Sequence, residues 1–246
     1  MLLLALDTSG TGVGVAVHDG ASVVAEVSVP GAQKHAEQLM PAVVAALGRA
    51  GVDRFALTDL VVGVGPGPFT GLRVGLVTAQ VLGLTLALPV HGVCSLDAIA
   101  EVVAADVMSA GGGVGGDGTE SFLVATDARR REVYWARYEV TTGPWPWRRL
   151  EGPFVAVPAE VPVVGPDGVR RRVVGRGVEL YPELLAVVVE AAAAAAGVSA
   201  GALATVAARA LLRGESTGQG RLVEPKPWYL RRPDAVPSHT RKRVLQ

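Results

Sequence analysis

Two carboxylates and one glycine-rich loop are the residues whose types and spacing could do chemistry. Asp7 ends the apolar run Leu2–Leu6 and opens the turn Thr8-Ser9-Gly10, and Asp127 ends Phe122-Leu-Val-Ala-Thr126 in the same way. A carboxylate at such a bend can orient water or a metal ion beside a nucleotide phosphate. It can equally accept N–H bonds from its own turn. Between them lies the stretch from Gly63 to Leu88, where Gly65-Pro-Gly67-Pro feeds a helix. Unpaired N–H groups at a helix N-terminus bind anions, so a phosphate cradle and a plain structural turn are both open. Pro66 and Pro68 remove two of the donors that a cradle uses. The four histidines (His18, His35, His91 and His239) include no pair at metal-ligand spacing. Cys94 reads as a buried, inert thiol, with no histidine placed to activate it.

The elements that must hold these residues follow from periodicity. Leu2–Leu6, Val13–Val17 and Ser22–Val29 form a β-meander with Asp7 at its first bend. Lys34–Ala50 is an amphipathic helix, with Pro41 either kinking it or marking its first turn. Asp59–Val64 is a buried strand. Helix is expected from Thr70 onward, with the threonine hydroxyl as its cap. That helix carries Val74, Leu76, Val77, Val81, Leu82, Leu84, Leu86 and Leu88, and polar positions only at Arg73, Thr78, Gln80 and Thr85. A helix apolar nearly all round needs cover on both sides: its own sheet on one, a second chain on the other. Pro89–Ser95 is a further strand ending at a Ser95 cap, and Leu96–Met108 is helical.

The second half repeats the first. Asp127 and its turn lead into an alternating strand, Glu132–Val140, as Asp7 leads into Val13–Val17. This indicates an internal duplication and a two-lobed α/β protein with a cleft between the lobes. Residues 1–108 form the N-terminal lobe, 109–118 (including the Gly111–Gly118 run) a flexible connection, and 119–218 the C-terminal lobe. The tail, about 219–246, is expected to pack back on the first lobe, with Arg241-Lys242-Arg243 near its end. Gly143–Pro166 reads as short strands and turns, and Val173–Gly177 as a strand ending in a loop. Tyr181–Ala196 and Ser199–Gly214 read as helices.

Bulk properties exclude several classes. Lys plus Arg equals Asp plus Glu at 23 each, so the protein as a whole has no excess positive charge to attract nucleic acid. A single cysteine in 246 residues rules out an internal disulfide framework and suits a reducing cytoplasm. Asp7 interrupts the apolar start too early for a signal peptide. The uncharged run from Ala191 to Ala208 is made of small residues, which fits a helix pair rather than a membrane span.

At Leu4-Ala-Leu-Asp7-Thr-Ser, Lys34-His-Ala-Glu37 and above all Gly63-Val-Gly-Pro-Gly67-Pro-Phe-Thr-Gly71-Leu-Arg73-Val-Gly75, the chain resembles the bacterial TsaB (YeaZ) family. Gly92-Val-Cys-Ser-Leu96, Asp127-Ala-Arg129-Arg-Arg-Glu132-Val-Tyr134 and Tyr229-Leu-Arg231-Arg-Pro-Asp234-Ala extend the match. Pro68 departs from the family's usual serine, and the glycine-rich insert and basic extension are lineage-specific.

The resemblance implies a duplicated fold of the actin and sugar-kinase (ribonuclease H-like) type. It also implies a non-catalytic scaffold and activator subunit in tRNA N6-threonylcarbamoyladenosine synthesis. Its partners would be a catalytic TsaD-type paralogue and a TsaE-type ATPase, with tRNA met through the complex and a homodimer formed when alone. The implied interface is a four-helix bundle, with His35, Gln38, Leu39, Ala42 and Ala45 from the first helix. Arg73, Leu76, Val77, Gln80 and Leu84 come from the second. Aligned without a shift, the paralogue's metal-binding His-x-x-x-His pair falls on Ser95 and Ile99, so no metal site and no catalysis are expected. No cofactor is required of this chain; ATP or ADP belongs to the complex interface, and Asp7, Thr8 and Ser9 are the candidate nucleotide contacts. Two other classes stand beside this one: an ATP-dependent enzyme of the kinase-like fold using Asp7 and Asp127, and a metalloprotease-like hydrolase, which the missing histidines disfavour.

Overall fold

The computed structural model describes residues 1–31, 34–109, 121–165, 168–185, 197–218 and 220–231. Its first sheet is built from β1 (Leu3–Asp7), β2 (Gly12–His18), β3 (Val23–Pro30), β4 (Asp59–Gly63) and β5 (Val90–Val93), in the order β3-β2-β1-β4-β5. β1 pairs antiparallel with β2 and parallel with β4. Strands covered on both faces read as unbroken apolar runs, which is why Leu3–Leu6 and Leu60–Val62 show no alternation. β3, at the edge, does alternate in exposure.

The second sheet repeats the plan. β6 (Ser121–Arg129), β7 (Glu132–Val140), β8 (Trp147–Ala156) and β9 (Arg172–Val174) lie in the order β8-β7-β6-β9. β6 takes an antiparallel neighbour on one side and a parallel one on the other, as β1 does. The duplication read from two strand-Asp-turn segments is therefore a duplication of sheet topology. Gly143–Pro166 is corrected: it contains one ten-residue strand, β8, in place of several short ones.

Helices α1 (His35–Ala50) and α2 (Phe69–Leu86) cover the outer face of the first sheet, with Leu39, Val43, Leu72 and Leu76 set against Leu4, Leu6, Val13 and Val15. α3 (Ser95–Ser109) lies on the inner face, and the short α4 (Arg176–Leu180) and α5 (Pro182–Leu185) follow β9. α6 (Ala200–Leu212) starts at a Ser199 cap whose side chain accepts from the Ala202 N–H. α3 and α6 fill the space between the two sheets, joining Leu3, Ala5, Val61 and Val93 of one to Phe122, Val124, Tyr138 and Trp147 of the other.

Assigning all of 119–218 to a C-terminal lobe is thus corrected. The Ala200 methyl packs on Gly14 of β2. Ser199 Oγ and the Gly201 N–H both donate to Glu26 of β3, at 3.0 and 3.1 Å. α6 belongs to the first sheet.

Buried ion pairs fasten the lobes across this layer. Arg209 of α6 grips both carboxylate oxygens of Glu101 at 2.8 Å, and the Trp147 indole N–H donates to the same carboxylate at 2.8 Å. One turn earlier, Asp97 accepts from the Tyr138 hydroxyl at 2.7 Å and from Arg149 at 3.2 Å.

Three helix-end readings are also corrected. α2 begins at Phe69 with Pro68 in the cap position and no side-chain cap, so Thr70 sits inside the first turn. It ends at Leu86, where Ala87 adopts the left-handed conformation, and Leu88 lies beyond it. Ser95 does not cap α3; its hydroxyl is engaged elsewhere. The Gly111–Gly118 run, His239, Arg241-Lys242-Arg243 and the 186–196 part of the expected Tyr181–Ala196 helix lie outside the described residues.

Candidate functional site

The site begins where β1 ends. Asp7 is 2% exposed, and both of its oxygens are taken. Oδ1 accepts from the Ser9 N–H at 2.9 Å and the Ser9 hydroxyl at 2.8 Å. Oδ2 accepts from the Ser95 hydroxyl at 2.9 Å. Burial pushes this carboxyl above the ordinary aspartate value, against the pull of the hydrogen bonds from Ser9 and Ser95. Ser95 Oγ also accepts from the Gly65 N–H at 3.2 Å, and Gly65 O accepts from the Ser95 N–H at 2.8 Å. The serine therefore ties the glycine loop to the strand-end aspartate. Ile99, one turn further along α3, is fully buried in the core between the sheets.

The glycines of the central motif are explained by this same turn. A Cβ on Gly67 would lie 2.6 Å from Ser9 O, and one on Gly75 would lie 2.5 Å from Thr8 Oγ1. Gly63 and Gly71 meet Asp7 and Thr8 O in the same way. Glycine recurs every fourth residue because the loop and α2 close directly onto Asp7-Thr8-Ser9. The space a phosphate cradle needs is occupied by the protein's own turn, so of the two readings the structure supports the structural one.

The second carboxylate repeats the device in a more open setting. Asp127 Oδ1 accepts from the Arg129 N–H at 2.7 Å, as Asp7 accepts from Ser9, and the Arg129 guanidinium lies 3.3 Å from its other oxygen. Asp127, Arg129 and Arg176 face Ser9, Gly10 and Thr11 across the interlobe cleft. Arg176 donates to the Thr11 hydroxyl at 2.8 Å. The cleft has room for about 50 Å³, against the roughly 300–1,000 Å³ of pockets that bury drug-sized ligands. The structure thus places Asp127 on a narrow cleft, while Asp7 is buried with both oxygens engaged and does not line it.

The expected partner residues divide. Leu39, Ala42 and Leu76 are 1%, 3% and 3% exposed, and this corrects their assignment to an interface: they pack on the sheet. His35, Gln38 and Ala45 are half-buried, while Arg73, Val77, Gln80 and Leu84 are exposed. Leu84 reaches 86% exposure, with Val81 beside it on α2 and Met40 and Val44 on α1 also open to solvent. This is an uncovered apolar strip along both helices. Among the described residues, His35 Nε2 and Gln38 Oε1 are buried without a hydrogen-bond partner.

Sequence reasoning did not identify the individual contacts that flank that strip. Residues 220–231 return to the first lobe, where Val223 exchanges two backbone bonds of 2.9 Å with Gly92 and the Trp228 N–H donates to Val64 O at 2.9 Å. Further along, Arg73 stacks 3.7 Å over the Phe69 ring and donates to the Tyr229 hydroxyl at 2.8 Å, and Gln80 donates to Pro225 O at 2.9 Å. An aromatic four residues before an arginine was a legible hint; Tyr229 carried none. His91 is engaged at both nitrogens, by Thr217 at 2.7 Å and Asp59 at 3.0 Å, and pins the segment after α6 to the end of the first sheet.

Together these features define a two-lobed, duplicated α/β protein of the actin-like class, whose strand-end carboxylate is closed by its own glycines. The model of the family described as TsaD, tRNA N6-adenosine threonylcarbamoyltransferase, matches residues 26–145. A solved Pseudomonas aeruginosa structure, described as similar to the peptidase YeaZ, superposes with a TM-score of 0.74 at 30% identity, covering 94% of this chain and 99% of that one. An uncharacterized protein of Mycobacterium tuberculosis is 46% identical over 138 residues, 55% of this chain and 58% of that one. The tRNA threonylcarbamoyladenosine biosynthesis protein TsaB of Escherichia coli is 34% identical over 139 residues, 56% of this chain and 55% of that one. The chain belongs to the TsaB/YeaZ family. Its matches span little more than half the length of these two curated relatives.

Proposed function

We propose that this protein is a non-catalytic scaffold and activator subunit in the synthesis of tRNA N6-threonylcarbamoyladenosine. It works in the cytoplasm beside a TsaD-type catalytic paralogue and a TsaE-type ATPase. One observation carries the reading: the apolar strip of Met40, Val44, Val77, Val81 and Leu84, exposed on two neighbouring helices. Large exposed apolar patches mark contact surfaces, and two neighbouring helices on one sheet face are a shape that a second helix pair packs against. When the partner is absent, the same face pairs two copies of this chain.

Catalysis belongs to the paralogue. Both Asp7 oxygens are engaged by Ser9 and Ser95, Asp7 is buried, and the neighbouring cleft is narrow. No cofactor is assigned to this chain; ATP or ADP is assigned to the interface between the paralogues. The reading is tested by co-expressing the chain with the TsaD-type protein of its own genome and measuring co-elution and adenosine modification. Co-elution and modification that depend on this chain are expected. ATP hydrolysis by the isolated chain above background would instead support a kinase-like enzyme using Asp7 and Asp127, and would overturn the proposal.

A further inference from the structure

The zero net charge of the whole chain conceals a strong polarity. Residues 1–108 hold 4 Lys/Arg against 9 Asp/Glu, whereas residues 119–246 hold 19 against 13. Part of that excess gathers at the apex of the β6–β7 hairpin. Arg129 pairs with Glu132 across the ladder, which leaves Arg130 and Arg131 as a two-residue turn. The φ angles at Arg129, Arg130 and Arg131 are 65°, 49° and 64°. Positive φ at both central residues is the requirement of a type I′ hairpin, which Asn-Gly meets with least strain. Residues with a Cβ and a long stem meet it poorly. The backbone at this turn therefore disfavours arginine.

All three are exposed. Arg129 lies 3.3 Å from Asp127. Arg176 stands on the same wall of the cleft. Arg231 braces the hairpin, donating to Ala128 O at 3.1 Å and pairing with Glu132 at 3.2 Å. The apolar residues of the hairpin, Ala128 and Val133, are buried. The tip thus lacks the apolar anchor around which protein contacts are usually built. What it presents is a set of guanidinium forks, whose geometry matches phosphate oxygens.

We propose that the Arg129–Arg131 hairpin tip, with Arg176 beside it, is a contact face for the sugar–phosphate backbone of RNA. That the RNA is tRNA rests on the function proposed above. Such contacts position a nucleic acid without reading its sequence, which suits a subunit with no exposed aromatic platform at this tip.

The test is fluorescence anisotropy with a labelled, unmodified tRNA transcript over a salt series, using the chain alone and the chain co-purified with its paralogue. The informative variant is Arg130→Asn with Arg131→Gly, which removes both charges and supplies the sequence the turn prefers. Its melting temperature should equal or exceed that of the wild type, so a folding defect cannot explain a loss of binding. The affinity for tRNA should fall about tenfold, and the slope of log K against log salt should shrink by about 2. Unchanged affinity, no tRNA binding by the wild type at low salt, or equal binding of polyglutamate in place of tRNA would each overturn the proposal. Pairing with the paralogue is followed by gel filtration on the same samples. Failure of the wild type to pair counts against the function proposed above, whereas intact pairing with unchanged RNA affinity in the variant counts against the RNA face alone.

Discussion

Thr8 and Gly75 are joined hydroxyl to backbone: the Gly75 N–H donates to Thr8 Oγ1 at 2.9 Å, while that hydroxyl donates to Gly71 O at 2.7 Å. The side chain of the first turn is thus inserted into the hydrogen-bond ladder of α2. Gly75→Ala gains about 1 kcal/mol of helix propensity. Against this, the new methyl would stand 2.5 Å from Thr8 Oγ1, and overpacking of this kind costs about 1–3 kcal/mol before the lost hydrogen bonds are counted. Net destabilisation of about 1–3 kcal/mol is expected in urea unfolding. Adding Thr8→Ala should recover part of the loss. A Gly75→Ala variant as stable as the wild type refutes the close-packing account of the motif.

Asp7 holds three buried donors, two from Ser9 and one from Ser95. Asp7→Ala strands all three, at about 1–3 kcal/mol for each group left unsatisfied, while Asp7→Asn keeps an acceptor and should cost less. Burial raises the folded-state pKa above 3.8. The stability contributed by the protonated form is therefore fully present below 3.8 and is lost as pH rises through the raised value. Asp7→Asn should be free of that loss. Equal stability of the Ala and Asn variants, measured by chemical denaturation, speaks against the bonded-turn role.

Much of this was legible from the chain, and the misses share a physical cause. β1 to β4 and α1 declare themselves by period and by their turns. α2 does not, because a helix that is apolar all round has no moment to say which side faces the sheet. Leu76 was accordingly placed at the interface. The stripe Gly71, Gly75, Ala79 and Gly83, all buried, was the available signal, since small residues every fourth position mark the side of closest approach. Ser95 was misread because a serine before an apolar run looks like a cap, and its partner Asp7 is 88 residues away. The pairing of Arg73 with Tyr229, 156 residues apart, leaves no local trace. α6 was assigned to the wrong lobe because its alanine-rich stripe does not say which sheet it faces, and its anchor Glu26 lies 173 residues away from Ser199.

His18 gives a pH signature. The Gly20 N–H donates to His18 Nδ1 at 2.9 Å, so the ring is held neutral. Burial lowers its pKa below 6.5, with nearby Asp19 opposing. The unfolded chain takes up the proton first. The associated stability is therefore complete above pH 6.5 and is lost as pH falls through the folded-state value. His18→Gln should flatten the stability profile between about pH 7 and about pH 5; parallel profiles would show that the imidazole plays no part.

Cys94 should be chemically silent while the protein is folded. It is 1% exposed, and burial, reinforced by the Asp97 carboxylate, pushes its thiol up to about 12, with Arg149 opposing. The thiolate is the reacting species, so a disulfide-exchange reagent at mildly alkaline pH should label nothing until denaturant is added. Stoichiometric labelling of native protein would place the thiol at the surface.

Leu84 and Leu76 separate the two faces of α2 by experiment. Leu84 is 86% exposed and Leu76 is 3% exposed, though both were candidate partner contacts. Leu84→Asp puts a charge into water and should leave circular dichroism and melting temperature near wild type, within about 0.5 kcal/mol. Leu76→Asp buries a carboxylate among Leu4, Leu6 and Leu72 with no partner charge, and should unfold the chain or cost several kcal/mol. If the exposed strip is the docking surface, Leu84→Asp should remain a folded monomer that no longer co-elutes with the paralogue, since a carboxylate at the centre of an apolar contact is desolvated without compensation. Adding Val77→Asp should deepen the loss of binding without altering the fold. Normal co-elution of the double variant would rule out this face, and the partner would then have to be sought on a different surface.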